Sequence, residues 1–190
     1  MKRIFFILLF FICHNNINAQ KNIHCLIKTE LGDIIVELYS SKAPITVANF
    51  LKYADAHLYD SSTFFRAVTL NNQPNNNIKI EVIQGGSVDS TKELASIPLE
   101  TTEQTGLHHL NGTISMARGK PASATSSFFI CINEQPSLDY RGKRNPDGQG
   151  FAAFGKVIKG MDVVKRIQNL YPEQGQYFKP PVLIISITRI

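Results

Sequence analysis

Apolar residues along this chain fall mostly into short runs, and most of those runs favour strands. Ile34, Val36 and Leu38 alternate with Ile35, Glu37 and Tyr39, the period of two expected of a half-buried strand. With residues 23–29 this run predicts a hairpin turning at Leu31-Gly32. Further strand-like runs lie at residues 64–68, 80–84, 113–117, 128–132, 154–157 and 182–190, each bounded by turn residues. Two stretches carry a helical period instead. From Pro44 to about residue 56, Val47, Phe50, Leu51 and Ala54 fall on one face, and proline suits a helix start. From Gly160 to about residue 170 the inward stripe is Met161, Val164, Ile167 and Gln168. Phe128 and Phe129 are neighbours, so on a strand they point to opposite faces. One can enter a core while the other lines a surface hollow; the ordinary alternative packs both in the core.

The first residues read as an address. Lys2 and Arg3 precede an unbroken apolar run over residues 4–13, and Asn18-Ala19 offers a small residue for cleavage. This pattern predicts a signal peptide over residues 1–19, and hence export to a periplasm or the exterior. The run is short for a membrane span. Anchoring through Cys13 is the lesser alternative, because bulky Ile12 precedes it. Residues 20–190 then form one domain, long enough for a sizeable core. Without Lys2 and Arg3, 18 of the 20 basic residues remain against 15 acidic ones, a net charge of +3. So mild a charge, with no basic run interleaved with aromatics, points away from nucleic acid. Cys25 and Cys131 lie in apolar surroundings and read as buried thiols rather than a disulfide.

Conventional catalytic equipment is sparse. The sequence shows no phosphate-cradling glycine loop and no Ser–His–Asp set with a supporting motif. His108 and His109 are adjacent, so on extended backbone one faces in and one out, which suits a metal poorly. No metal and no cofactor are expected. Residues 69–77, TLNNQPNNN, read as a solvated polar excursion, and Lys143 and Arg144 in the turn-rich stretch 133–150 read as solvated charges.

Residues 112–132, GTISMARGKPASATSSFFICI, resemble the central motif of the cyclophilin-type peptidyl-prolyl isomerases, GxxSMA followed by a small polar loop and SxFFI. The family's other landmarks arrive in order: FFR at 64–66, QGG at 84–86, LD at 138–139 and FGKV at 154–157. The resemblance runs from about residue 23 to the end of the chain. It implies a mainly β fold, a closed eight-stranded antiparallel barrel capped by two α-helices. Relative to the family the chain is lengthened at about residues 69–79 and 141–150.

That resemblance assigns roles. Arg66, which in an apolar strand would ordinarily face solvent, matches the family's catalytic guanidinium on an outer groove. Val82, Phe129, Leu138 and Phe151 match the pocket for the proline ring. Gln84, with backbone near Ala117 and Arg118, matches the grip beside it, and Ser127 stands where the family has a longer glutamine. Ser137 replaces a tryptophan of many eukaryotic members. Glu81 falls where a pocket phenylalanine is usual, so either one wall is open or the register is shifted. The implied partners are proline-containing polypeptide segments, bound by a monomer without stable membrane insertion. The implied activity is isomerisation of X-Pro bonds in exported proteins. The alternatives are a proline-segment binding module or holdase with little turnover, and a purely structural barrel with a silent groove.

Overall fold

A computed structural model describes residues 23–170 and 175–190; the signal peptide predicted over 1–19 lies outside them. Among the described residues eight strands run β1 (Ile23–Thr29), β2 (Gly32–Leu38), β3 (Thr63–Val68), β4 (Val82–Gly85), β5 (Thr113–Met116), β6 (Phe128–Cys131), β7 (Ala152–Lys159) and β8 (Tyr177–Arg189). Antiparallel pairing closes them into a barrel in the order β1-β2-β7-β5-β6-β4-β3-β8. Closure removes every sheet edge.

The barrel interior holds the residues that the alternation predicted. Ile34, Val36 and Leu38 are fully buried, as are Ile27, Phe64, Phe128 and Phe154. Helix α1 (Pro44–Asp55) plugs one end. Its Phe50 ring meets those of Tyr59, Phe128 and Phe154 at 5.3, 5.6 and 5.3 Å. Such contacts between rings add to simple area burial. Helix α3 (Met161–Gln168) starts after Gly160 and buries Val163, Val164, Ile167 and Gln168.

Besides the two longer helices the chain forms a third, short one. A short helix, α2 (Thr102–Thr105), begins at Thr101, whose hydroxyl accepts from the Gln104 backbone while the Gln104 side chain accepts from the Thr101 N–H. This reciprocal cap is written in the sequence as Thr101-Thr102-Glu103-Gln104. The last strand also starts earlier than residue 182. It runs through Pro180-Pro181, because its pairing with β3 passes from Val182 opposite Phe64 to Tyr177 opposite Arg66. The prolines occupy the interruption, where no ladder N–H is required.

Cys25 and Cys131 are buried free thiols. Burial raises Cys25 to about 11 and pushes Cys131 well up as well. No helix among the described residues is long and apolar enough to cross a membrane.

Candidate active site

The site lies on the outside of the barrel, and a backbone irregularity creates it. Phe64 points inward opposite Gly85, and Arg66 stands opposite the next residue of β4, Gln84. Strict alternation from Phe64 would send Arg66 into the core. The extra residue, Phe65, reverses the parity and turns Arg66 to the outer face. Re-aiming a side chain beside a site is what such bulges do. Gln84 in turn pairs with Phe129, and Phe129 with Ser115. Arg66, Gln84, Phe129 and Ser115 thus form one row across four strands.

Beside this row a second apolar cluster, separate from the barrel core, collects Val68, Ile80, Val82, Phe129, Cys131 and Leu138, with Ala117 and Phe151 against it. The two neighbouring phenylalanines therefore divide as the strand period allows, Phe128 inside the barrel and Phe129 outside. A cavity of about 240 Å³ opens over the outer cluster. Arg66, Val82, Gln84, Ala117, Arg118, Phe129, Leu138 and Phe151 all line it. Ser127 does not. Its carbonyl accepts from the Ala117 N–H at 2.9 Å. Sequence reasoning missed Ile80, Arg144 and Asn145, which also line the cavity. Ile80 decides the question of the open wall: it fills that side, while Glu81 accepts from Asn133 Nδ2 at 2.8 Å away from the cavity.

The Arg66 guanidinium is oriented by neutral acceptors. Nη1 donates to Gln84 Oε1 at 2.9 Å; Nε and Nη2 donate to Gln176 Oε1 at 3.0 and 2.6 Å. Gln176 is itself held by the Asn72 carbonyl at 3.0 Å. Burial lowers the Arg66 pKa, from so high a start that the group stays charged at neutral pH.

The opposite rim is built from charge pairing. Arg118 donates to both carboxylate oxygens of Asp147, at 2.7 and 2.8 Å, and to the Gly150 carbonyl at 2.7 Å. It lies over the Phe151 ring at 5.3 Å, and that ring meets Phe129 edge-on, also at 5.3 Å. Gly150 is required here: its φ is +67°, and a Cβ would come 2.6 Å from the Leu138 carbonyl oxygen. Gly86 behaves likewise below the row, where a Cβ would strike the Phe128 ring.

Beneath Phe129 the fold assembles a Ser–His–Asp set that the sequence spacing did not disclose. His109 bonds Asp139 through Nδ1 at 2.6 Å and Ser115 through Nε2 at 3.0 Å. The atoms match a hydrolytic triad, but Ser115 is fully buried and His109 1 % exposed, so no substrate reaches them. The set serves as a brace: the His109 ring stacks against Phe129, 5.9 Å between centroids. Burial lowers the His109 pKa despite its bond to Asp139. His108 faces outward, as the pair predicted, and its Nδ1 lies 2.9 Å from Asp139. Among the described residues no group of three His, Cys, Asp or Glu is placed to hold a metal.

Two loops frame the site. Residues 69–77 are less solvated than their composition suggests, because Gln73 is buried and its amide ties the Thr69 and Ile80 carbonyls at 2.7 and 2.8 Å. Arg144 is not a solvated charge either. Its Nη1 crosses to Gln73 Oε1 at 2.9 Å and the Ile78 carbonyl at 2.5 Å.

Comparison with known proteins gives a consistent picture. Residues 24–189 match the model of the cyclophilin type peptidyl-prolyl cis-trans isomerase/CLD family. A peptidyl-prolyl cis-trans isomerase of Acinetobacter baylyi is 38% identical over 177 residues, covering 90% of this chain and 87% of that protein. Peptidyl-prolyl cis-trans isomerase B of Escherichia coli is 34% identical over 171 residues, covering 84% and 95%. The crystal structure of a Cryptosporidium parvum cyclophilin superposes with a TM-score of 0.70 at 22% identity, over 90% of this chain and 98% of that one. The ordered motifs, the closed barrel and the matched length together place this chain in the cyclophilin-type peptidyl-prolyl cis-trans isomerase family.

Proposed function

We propose that this chain accelerates cis–trans isomerisation of X-Pro bonds in exported polypeptides, with Arg66 as the catalytic residue. The observation that carries the reading is a charged, oriented guanidinium at the rim of a cavity with one apolar wall. The reaction breaks no covalent bond; its barrier of about 20 kcal/mol is lost amide resonance. As the C–N bond twists, the proline nitrogen regains a lone pair and becomes a hydrogen-bond acceptor. A donor that meets this nitrogen binds the twisted state better than either planar one, which lowers the barrier. The wall of Ile80, Val82, Phe129, Leu138 and Phe151 receives the pyrrolidine ring. Gln84 offers its amide N–H to the substrate backbone, since its oxygen accepts from Arg66. The Ala117 N–H is committed to Ser127, so the main-chain contact ahead of the proline falls to Arg118. The pattern of residues 2–19 supports export.

A binding module with little turnover is the second reading, favoured by the position of Ser127 outside the cavity. NMR exchange on an X-Pro peptide separates the two. Arg66→Ala should fold normally, because the side chain fills no core space. Its turnover should fall roughly 10- to 100-fold, the worth of a hydrogen bond from a charged donor. Peptide affinity should fall much less. Full activity in the folded variant would refute this role for Arg66; equal losses in affinity and turnover would favour the binding module.

A further inference from the structure

Arg66 and Arg144 line two cavities at once, the one already described and a second of about 520 Å³ that adjoins it. The second is bordered by Asn72, Gln73, Gln176 and Tyr177 among others. Both guanidinium groups are held by neutral acceptors: Arg66 by Gln84 and Gln176, Arg144 by Gln73 and the Ile78 carbonyl. The Nε and Nη2 of Arg144 meet no acceptor among the described residues. None of the described residues lining either cavity is acidic. Asp147, at the groove's other rim, is taken up by Arg118. Asn145, in the wall of the first cavity, has a buried Nδ2 with no hydrogen-bond partner among the described residues. The two cations also oppose each other. Burial lowers the Arg144 pKa, and the charge of Arg66 lowers it further. Two half-buried positive charges that share a space with no carboxylate among its described lining residues favour an anionic guest.

The geometry gives that guest a place along the substrate. Ala117 and Arg118 border only the first cavity, on the side assigned to the residue before the proline. A chain that enters there and seats its proline leaves past Arg66 and Arg144 into the second cavity. At about 3.3 Å per extended residue, the first or second side chain after the proline falls between them. We infer that this groove selects segments carrying Asp or Glu one or two positions after the proline, and that Arg144 is the specificity-determining residue. The inference rests on the groove binding X-Pro segments.

The test uses peptides blocked at both ends, so that the only carboxylate is a side chain. They differ solely in Glu, Gln or Lys at the two positions after the proline. NMR exchange gives kcat/KM and fluorescence anisotropy gives affinity. The wild-type protein should prefer Glu to Gln by roughly 3- to 10-fold, with Lys poorest and the preference shrinking in high salt. Arg144→Gln should bring the Glu-to-Gln ratio to about one. Arg144→Lys, which keeps the charge without the planar fork, should keep part of the preference and serves if the first variant folds poorly. A wild-type ratio near one overturns the inference, and so does a preference that survives Arg144→Gln in folded protein. If no peptide is isomerised, the isomerase reading fails by itself, and anisotropy still reads the preference.

Discussion

Arg66 and Arg118 border the same cavity from opposite rims, and the protein treats them in opposite ways. Arg118 is locked. Its side chain is 1 % exposed, both Asp147 oxygens accept from it, and its hydrogen bonds pull that carboxyl down to about 2. Arg66 makes three hydrogen bonds through its guanidinium against four for Arg118, and every one of the three ends on an amide oxygen. Hydrogen-bond satisfaction and charge neutralisation are thereby separated. An amide fixes the direction of a guanidinium and leaves its field available to a substrate. A carboxylate fixes it equally well and cancels much of that field. The Arg118 rim is accordingly a wall that supports Phe151, and the Arg66 rim is where a positive charge can act on a reacting bond.

Converting one rim into the other gives the largest expected effect. Gln84→Glu keeps the shape and the acceptor but sets a carboxylate against Arg66. Turnover should fall roughly tenfold or more, the weight of a charge-assisted contact. Gln84 is also assigned a contact with the substrate backbone, so Gln84→Ala is the reference: it removes that contact without adding charge. The Glu variant should be the slower of the two in the NMR exchange assay. If it is the faster, neutral ligation is not what distinguishes Arg66.

Loss of orientation without change of charge should matter less. Gln176→Ala removes two of the three hydrogen bonds on Arg66 and leaves Gln84 in place. Turnover is expected to drop by about 3- to 10-fold, as for one or two modest hydrogen bonds, with peptide affinity nearly unchanged. An unchanged rate would mean that Gln84 alone sets the guanidinium direction.

The contrast between the two rims was only partly legible in the sequence. Period and turn chemistry placed the strands, and the Phe128-Phe129 pair allowed one ring to leave the core without deciding that it would. The outward turn of Arg66 was not legible from alternation, because it depends on an extra residue counted against β4 and β8. Gln176 lies 110 residues from Arg66 in the chain, in a polar stretch with no periodic pattern. Arg144 read as a solvated charge because its acceptors, Gln73 and Ile78, arrive from a loop 66–71 residues away. The set of Ser115, His109 and Asp139 escaped for the same reason: loop and strand meet only once the barrel closes. Helix α2 is different, since its capping box is local, from Thr101 to Gln104, but no apolar run follows it to mark a helix. What the chain encodes locally can be read locally; contacts made by bulges and loop crossings need the fold.

The smallest effect should come from the locked rim, and it carries a pH signature. Asp147→Asn frees Arg118 from its counter-ion and makes it resemble Arg66 in charge, while Gly150 and the Phe151 ring still hold it. Asp147 is partly open to solvent, 31 % by side chain, so turnover at neutral pH should fall less than about fivefold. The Asp147 pKa is lowered from 3.8 to about 2, chiefly by its hydrogen bond from Arg118. A carboxylate depressed in the folded state contributes stability that is complete above its unfolded value and lost as pH falls through the folded one. The contribution of this pair should therefore fade between about pH 4 and pH 2. Other carboxylates titrate in that range in both proteins, so the difference is the readout. The melting temperature of the wild-type protein should descend more steeply from pH 4 to pH 2 than that of Asp147→Asn, and the two should converge at the acid end. Parallel descents would show that the pair carries no stabilising weight. A loss of turnover as large as that of Arg66→Ala would show that both rims act on the substrate through their charge.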